Sequence, residues 1–332
     1  LTMLELHQDK LVFSFPELHK DAVCHIDFQR TLRIPDDNRE YPLPPGLGRF
    51  PLEHTEDHPS NLPSRWAEHG GVMLPMYQSE ALWMNFSGGY PCAIKIATGK
   101  INAVTGKQWT NDLGKKPQDY LVVPDQPWLD GYCVQKGLIR QFVAMPLGDG
   151  YTAEEQLTGK AEHGGLQIVV YPMKRVHYEA MMKGQSHRNH EDLCFSVHEM
   201  SAPSEMGLAP GGLMRQEIYE DEYGFDAWDL DASSRCFVHI LNSDQWNNVT
   251  GKPILGVPPS AVDYTAVGLP WFEYYDDKLK PLQGSTKLAG LDSVAAKTLK
   301  LGEKPMKNNE TVTPTKINSI GPNTAKVIDG KW

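Results

Sequence analysis

Apolar and polar residues alternate with a period of two along much of this chain. Between residues 22 and 28, AVCHIDF places Ala, Cys, Ile and Phe at alternate positions. Successive side chains of a strand point to opposite faces, so this pattern predicts a strand with unlike faces. The segments 92–104 and 132–145 predict hairpins that turn at Thr98-Gly99 and Lys136-Gly137. Further strands are predicted at 166–171, 193–197, 213–219 and 235–241.

Helical patterns are few and short. Thr152 and Glu155 form a capping-box sequence, which predicts the start of a helix of about two turns. A second helix is predicted at 177–184, and Ser260 begins a third. The longest helical pattern is 287–302, ending at Gly302. The sequence therefore predicts a mainly β fold, an antiparallel sandwich or barrel with a few short helices.

The composition changes after Gly302, where the remaining residues are polar and contain few apolar positions. We expect a β-rich domain at 1–302 and an extended C-terminal arm at 303–332. A polar segment stays ordered only when its backbone is bound to something. The arm is therefore expected to lie along its own domain, or along a neighbouring subunit of a homo-oligomer.

Two short sequences occur twice. Glu-His-Gly-Gly appears at 68–71 and 162–165, each time before an apolar run, and GLIRQFV at 137–143 resembles GLMRQEI at 212–218. An ancient duplication would give two similar halves that divide near residue 150. The separations of 94 and 75 residues disagree, however. The alternative is independent use of Gly-Gly for backbone freedom before a strand.

Composition and charge exclude several function classes. The 332 residues carry a formal net charge of −10, which argues against a nucleic-acid surface. No apolar run approaches 18 residues, so no membrane-spanning helix is expected. The first residues lack a signal-peptide pattern, which predicts a cytoplasmic protein unless a signal has already been removed. The five cysteines are widely spaced without a CxxC pair, which is typical of buried free thiols.

The segment HRNHEDLCFSVHEM, 187–200, concentrates metal-binding residue types. In a strand, Cys194 and His198 would stand about 13 Å apart, too far to share one ion. His187 and His190, in the preceding loop, remain candidate ligands of a divalent transition metal. HxxH alone is a weak signal, and a partner ligand would have to come from a distant strand.

The preferred catalytic candidates are Glu162, His163 and Arg140. Glu162 and His163 precede a strand at a Gly-Gly step, where a ligand can approach the backbone closely. A histidine near its working pKa acts as a general base or metal ligand. Arg140 stands within an apolar run, so its guanidinium needs either an internal carboxylate or an anionic ligand.

Four further residues are candidates for ligand binding. Arg215 and Glu217 lie two apart on one predicted strand, so they share a face and could pair in part. Trp128 and Trp271 stand beside acidic residues, an arrangement that can stack on a sugar ring or a partner. Such aromatic corners also occur at the edges of cores.

Two functions follow from these candidates. The first is an enzyme of unknown reaction that uses a histidine and glutamate pocket with a buried arginine, with or without a metal. The second is a non-catalytic protein that binds glycans or copies of itself. The enzyme hypothesis predicts that at least two of six histidines lie within about 5 Å in a concave pocket. These are His69, His163, His177, His187, His190 and His239.

Overall fold

The fold is mainly β, as the alternation predicts. The computed structural model describes residues 3–183, 205–274, 276 and 278–320. Seventeen of the described strands join one sheet network, and two more form a small separate sheet. The strands are β1 (Met3–His7), β2 (Lys10–Ser14), β3 (Val23–Thr31), β4 (Glu40–Tyr41), β5 (Gly46–Arg49), β6 (Glu53–His54), β7 (Val72–Met76), β8 (Ala81–Ser87), β9 (Cys92–Thr98), β10 (Ile101–Asn102), β11 (Leu121–Val123), β12 (Trp128–Leu129), β13 (Gly131–Gln135), β14 (Leu138–Pro146), β15 (Leu166–Pro172), β16 (Glu205–Arg215), β17 (Ser234–Asn242), β18 (Trp271–Tyr274) and β19 (Ile317–Ile320).

The helices are short and lie between strands. They are α1 (Ser64–His69), α2 (Ala153–Thr158), α3 (Arg175–Met182), α4 (Ser243–Thr250), α5 (Ala261–Ala266), α6 (Thr286–Ala289) and α7 (Val294–Lys300), with 3-10 turns at Thr55–Asp57, Phe225–Ala227 and Lys307–Asn309. Among the described helices, none has the length and apolar content needed to cross a membrane.

The main sheet runs in the order β1, β2, β3, β8, β14, β16, β17, β15, β9, through antiparallel pairs. Strand β14 is central because β16 pairs along one edge while β13 and β8 share the other. The exceptions to the antiparallel rule are β4 on β16 and β7 on β17, which pair in parallel. The two repeated heptapeptides lie side by side, with Arg140 opposite Leu213.

The sheet curls so that distant strands face each other across a common core. Cys24 on β3 and Cys92 on β9 are in contact, although six pairings separate their strands in the sheet order. Both thiols are completely buried. Cys133 and Cys236 are also buried and free, whereas Cys194 lies outside the described residues. The predicted burial of these four thiols is confirmed.

Local sequence patterns predicted the positions of most strands and helix starts correctly. Both predicted hairpins are present, as β9–β10 and β13–β14. The box at Thr152 caps α2, and Ser260 caps α5 in the same way. The strand predicted at 193–197 lies outside the described residues.

Two predictions of element length were wrong. The helix predicted at 287–302 is divided into α6 and α7, because Gly290 ends the first and the Ser293 hydroxyl caps the second. The strand predicted at 213–219 is instead the end of β16, which stops at Arg215. Beyond it, Gln216 turns inward and its side chain bonds Asp130.

The first part of the arm, residues 303–320, is bound to its own domain. Asn308 and Asn309 contact the segment after β3, where Asn309 Oδ1 accepts the N–H of Asp36 at 2.7 Å. Further along, β19 pairs in parallel with β18. The side-chain amides of Asn308 and Asn309 and the pairing of β19 with β18 therefore bind this polar segment to the domain.

Candidate functional site

The two Glu-His-Gly-Gly motifs meet at one strand. Motif 68–71 ends α1 and leads into β7, which pairs in parallel with β17. Motif 162–165 leads into β15, which pairs antiparallel with the opposite edge of the same strand. The two copies of the motif are far apart in sequence but lie close together in the fold, one on each side of β17.

The second glycine of each motif has no room for a side chain. Gly71 has φ +90°, and a Cβ there would lie 2.2 Å from the carbonyl oxygen of Phe237. Gly165 has φ +55°, and its Cβ would lie 2.5 Å from the carbonyl oxygen of Val238. Both positions combine left-handed backbone with a close approach to β17, which only glycine tolerates.

These turns gather five rings into what we call the histidine cluster: His69, His163, His239, Trp66 and Phe237. The ring centroid of His69 lies 6.1 Å from that of His163 and 6.4 Å from that of His239. His69 also stacks on Phe237 at 4.7 Å. His239 stacks on Trp66 at 4.5 Å. Three of the six candidate histidines therefore adjoin, at centroid separations somewhat longer than the expected 5 Å.

The carboxylate that supports the second turn is Glu154, which the sequence analysis did not select. Its Oε2 accepts the backbone N–H groups of His163 and Gly164, both at 3.1 Å. The predicted Glu162 is exposed instead and pairs with Lys160 at 2.7 Å. Glu154 appears in sequence only as an acid in the first turn of α2, so no local signal connects it to residue 163.

His163 is held neutral by its surroundings. Burial lowers its pKa below the ordinary 6.5, and the positive charge of Lys100 acts in the same direction. Its Nε2 is inaccessible to solvent, lies 3.9 Å from a carboxylate oxygen of Glu162 and has no hydrogen-bond partner in the described chain. A neutral imidazole with an unused ring nitrogen can accept a proton.

His239 has a structural role within the cluster. Burial lowers its pKa to about 4, and the ring is 5% exposed. Its Nε2 lies 3.0 Å from the carbonyl oxygen of Gly70. A proton on this nitrogen therefore donates to the backbone of the first motif, which joins β17 to that turn.

A polar cleft of about 570 Å³ adjoins the second turn, and we call it the Arg65 cleft. It is lined by Asn61, Pro63, Arg65, Leu147, Ala161, Glu205, Leu241 and Gln245. Arg65 forms an ion pair with Glu205, which also accepts the indole N–H of Trp66 at 3.2 Å. Leu147 borders both the cleft and Gly164. The cleft thus presents a cation and an anion next to the 162–165 turn, while the three histidine side chains lie outside its lining.

Arg140 lies apart from this cleft. Its Nη1 stands 3.6 Å from a carboxylate oxygen of Asp36, an internal partner of the kind that its apolar surroundings require. Six residues of β14, roughly 20 Å, separate Arg140 from Pro146. Pro146 is opposite Met206, which contacts the 162–165 turn. Arg140 therefore does not join His163 in one pocket, and that part of the predicted site needs correction.

The predicted ligand-binding residues are dispersed. The carboxylate that pairs with Arg215 is Glu273 of β18, at 2.7 Å, rather than Glu217. Trp271 is completely buried, so its ring presents no exposed face on which a ligand could stack. Trp128 is half-buried and packs edge-on against Tyr274, with 4.7 Å between ring centroids.

The predicted metal ligands His187 and His190 lie outside the described residues. Within the described ranges, no group of three or more histidine, cysteine, aspartate or glutamate side chains is placed to hold an ion.

Replacing Gly165 by alanine should destabilise the fold by about 2–4 kcal/mol, because strain at positive φ adds to the collision with Val238. The free energy of unfolding, measured with urea, tests this. Gly251→Ala is the matched control, since Gly251 has φ +68° but nothing within 4 Å of its Cβ. We expect only about 1–2 kcal/mol there. Equal losses in the two variants would contradict a close approach to β17.

The stability of the protein should fall as the pH drops from 6.5 towards 4, partly because of His239. Its folded-state pKa is lowered to about 4, so the unfolded state binds a proton first and gains from acidification. This contributes at most about 3 kcal/mol. His239→Gln keeps a donor for Gly70 and should flatten the curve of unfolding free energy against pH. Parallel curves for the variant and the parent would contradict the assignment, with His177→Gln as the control.

Likeness to characterised proteins adds nothing to this geometry. No protein-family model, curated protein or solved structure matches the chain.

Proposed function

We propose that this protein is an enzyme in which His163 transfers a proton to and from a small polar substrate bound in the Arg65 cleft. The observation that carries the proposal is the convergence of the two Glu-His-Gly-Gly turns on β17. It places His69 and His163 side by side next to a cleft that contains an arginine and a glutamate. Converging polar groups in a cleft, with a perturbed histidine, are the usual marks of a catalytic site.

The protonation state of His163 supports a role as general base. Burial lowers its pKa, and the electrostatic effects of Lys100, His69 and Arg65 act in the same direction, while Glu162 acts in the opposite direction. The ring is therefore neutral at pH 7. A neutral base accepts a proton from a substrate hydroxyl or a water molecule and returns it to the leaving group.

Arg65 supplies positive charge for the substrate. Its ion pair with Glu205 holds one end of the guanidinium, while Nε has no hydrogen-bond partner among the described residues. The indole of Trp66 donates to the same carboxylate, which fixes the position of Glu205. A negative charge that develops on a substrate oxygen would be stabilised by this guanidinium.

The alternative, a non-catalytic protein that binds glycans or its own copies, is supported by other surfaces. Trp128 and Tyr274 form a half-exposed aromatic pair. Strand β19 exposes Ile317 and Ile320 beside its single described partner, β18. An open strand edge with apolar residues favours association with another chain. This hypothesis predicts binding or self-association without turnover.

His163→Gln should reduce turnover by about 100-fold to 10,000-fold, since a glutamine cannot carry the proton. The parent and variant would be assayed against chromogenic esters, phosphate esters and glycosides. Because the base must be neutral, the parent rate should rise with pH through the lowered pKa of His163 and level off by pH 7.

His177→Gln is the matched control, because His177 is exposed on α3, away from the histidine cluster. It should keep the full rate. Equal rates in the parent and His163→Gln would contradict the proposal. So would an absence of turnover across the panel, which would leave the binding alternative.

A further inference from the structure

Arg33 is a buried cation that has no carboxylate partner among the residues that the structure describes. It follows β3, and 5% of its surface is exposed. Its Nη1 donates to the Ser79 hydroxyl and to Oδ1 of Asn308, the latter at 2.9 Å. Its Nε is buried without a hydrogen-bond partner in the described chain. Ser79 and Asn308 contribute neutral oxygens, so no described carboxylate contacts this guanidinium directly.

The nearest acid is already engaged elsewhere. Asp36 acts on Arg33 only through space. Its carboxylate accepts the backbone N–H of Ala295 at 2.8 Å and lies 3.6 Å from Arg140. Burial accordingly lowers the pKa of Arg33 to about 10. A buried charge of this kind is costly unless an anion pairs with it.

A neighbouring arginine shows how the fold satisfies such a charge when it is purely structural. Arg30, three residues earlier, pairs with the fully buried Glu80 at 2.6 Å and also donates to the carbonyl oxygen of Gly256 at 2.7 Å. Glu80 has no such contact with Arg33, because its second oxygen accepts the N–H of Tyr77. The two arginines therefore differ in their carboxylate partner: Arg30 pairs with Glu80, and Arg33 has no such partner among the described residues.

Arg33 lines a cleft of about 430 Å³, which we call the Arg33 cleft. Ser79 stands beside it with φ +72°, a conformation that is rare for residues other than glycine. The Ser79 hydroxyl accepts from Arg33 and Asn308, and its own hydrogen has no acceptor among the described residues. An arginine and a hydroxyl donor thus face the same space, which suits an anionic group.

The other residues that line the cleft indicate the chemistry of the rest of the ligand. Apolar surface comes from Val257, Pro258 and Val262, while Asp263 and Glu310 are exposed at the rim. A cation at the base and carboxylates at the rim complement a molecule with a negative group at one end and a positive group at the other. The acidic rim disfavours a multiply charged phosphate.

We propose that the Arg33 cleft binds a small apolar amino acid, with its carboxylate on Arg33 and Ser79 and its ammonium group towards the acidic rim. The volume lies in the range of small-molecule sites. This cleft shares no lining residue with the Arg65 cleft, so the proposal stands independently of the catalytic role of His163.

Isothermal titration calorimetry in phosphate-free buffer tests this, with four probes: L-phenylalanine, hydrocinnamate, phenethylamine and inorganic phosphate. Phenylalanine should bind, hydrocinnamate should bind more weakly because it lacks the ammonium group, and phenethylamine should not bind. Failure of phenylalanine to bind, or binding of phosphate or phenethylamine in its place, would overturn the proposal.

Variants connect the binding to the cleft. Arg33→Met should abolish phenylalanine binding, whereas Arg39→Met, at an exposed arginine, should leave it unchanged. Ser79→Gly removes the hydroxyl donor at a backbone position that glycine adopts freely, so it should fold and bind about 10-fold more weakly. If Arg33→Met does not fold, the affinity for phenylalanine is measured in Arg33→Lys and Ser79→Gly instead. Unchanged affinity in both would overturn the assignment.

Discussion

Two glycines approach the backbone of β17 so closely that neither position can carry a side chain. They contact the strand at Phe237 and Val238, one on each edge. Gly71 reaches it from one side and Gly165 from the other. This steric constraint fixes where β7 and β15 begin. It thereby fixes the turns that carry His69 and His163. The spacing of the imidazoles is thus a consequence of backbone packing rather than of any direct bond between the two rings.

Some buried polar atoms of this fold lack the hydrogen-bond partner that buried polar atoms usually have. Most buried charges are paired, as Lys95 is with Asp119 at 2.8 Å. By contrast, Nε of Arg33, Nε of Arg65 and Nε2 of His163 have no hydrogen-bond partner among the described residues. Such groups are uncommon in folded proteins and call for an explanation. Of these residues, Arg33 and Arg65 line the two polar clefts, where a ligand can supply the missing partner.

Much of the fold could be predicted because its signals are local. Alternation located the strands around Cys24 and Val238, and the Thr152 and Ser260 boxes marked helix starts. The error at 287–302 arose because the pattern remains helical across Gly290, and the cap at Ser293 was not recognised. The repeated motif pointed to His163, but nothing local pairs residue 163 with Glu154 or Arg215 with Glu273. Those partners depend on which strands become neighbours.

An NMR pH titration of the His163 imidazole tests whether the two turns bring His69 and His163 into one electrostatic site. We expect His163 to titrate below 6.5, and its pKa to rise in His69→Gln, which removes a neighbouring group that lowers it. Titration at or above 6.5, with no response to the loss of His69, would show that the two rings do not share such a site.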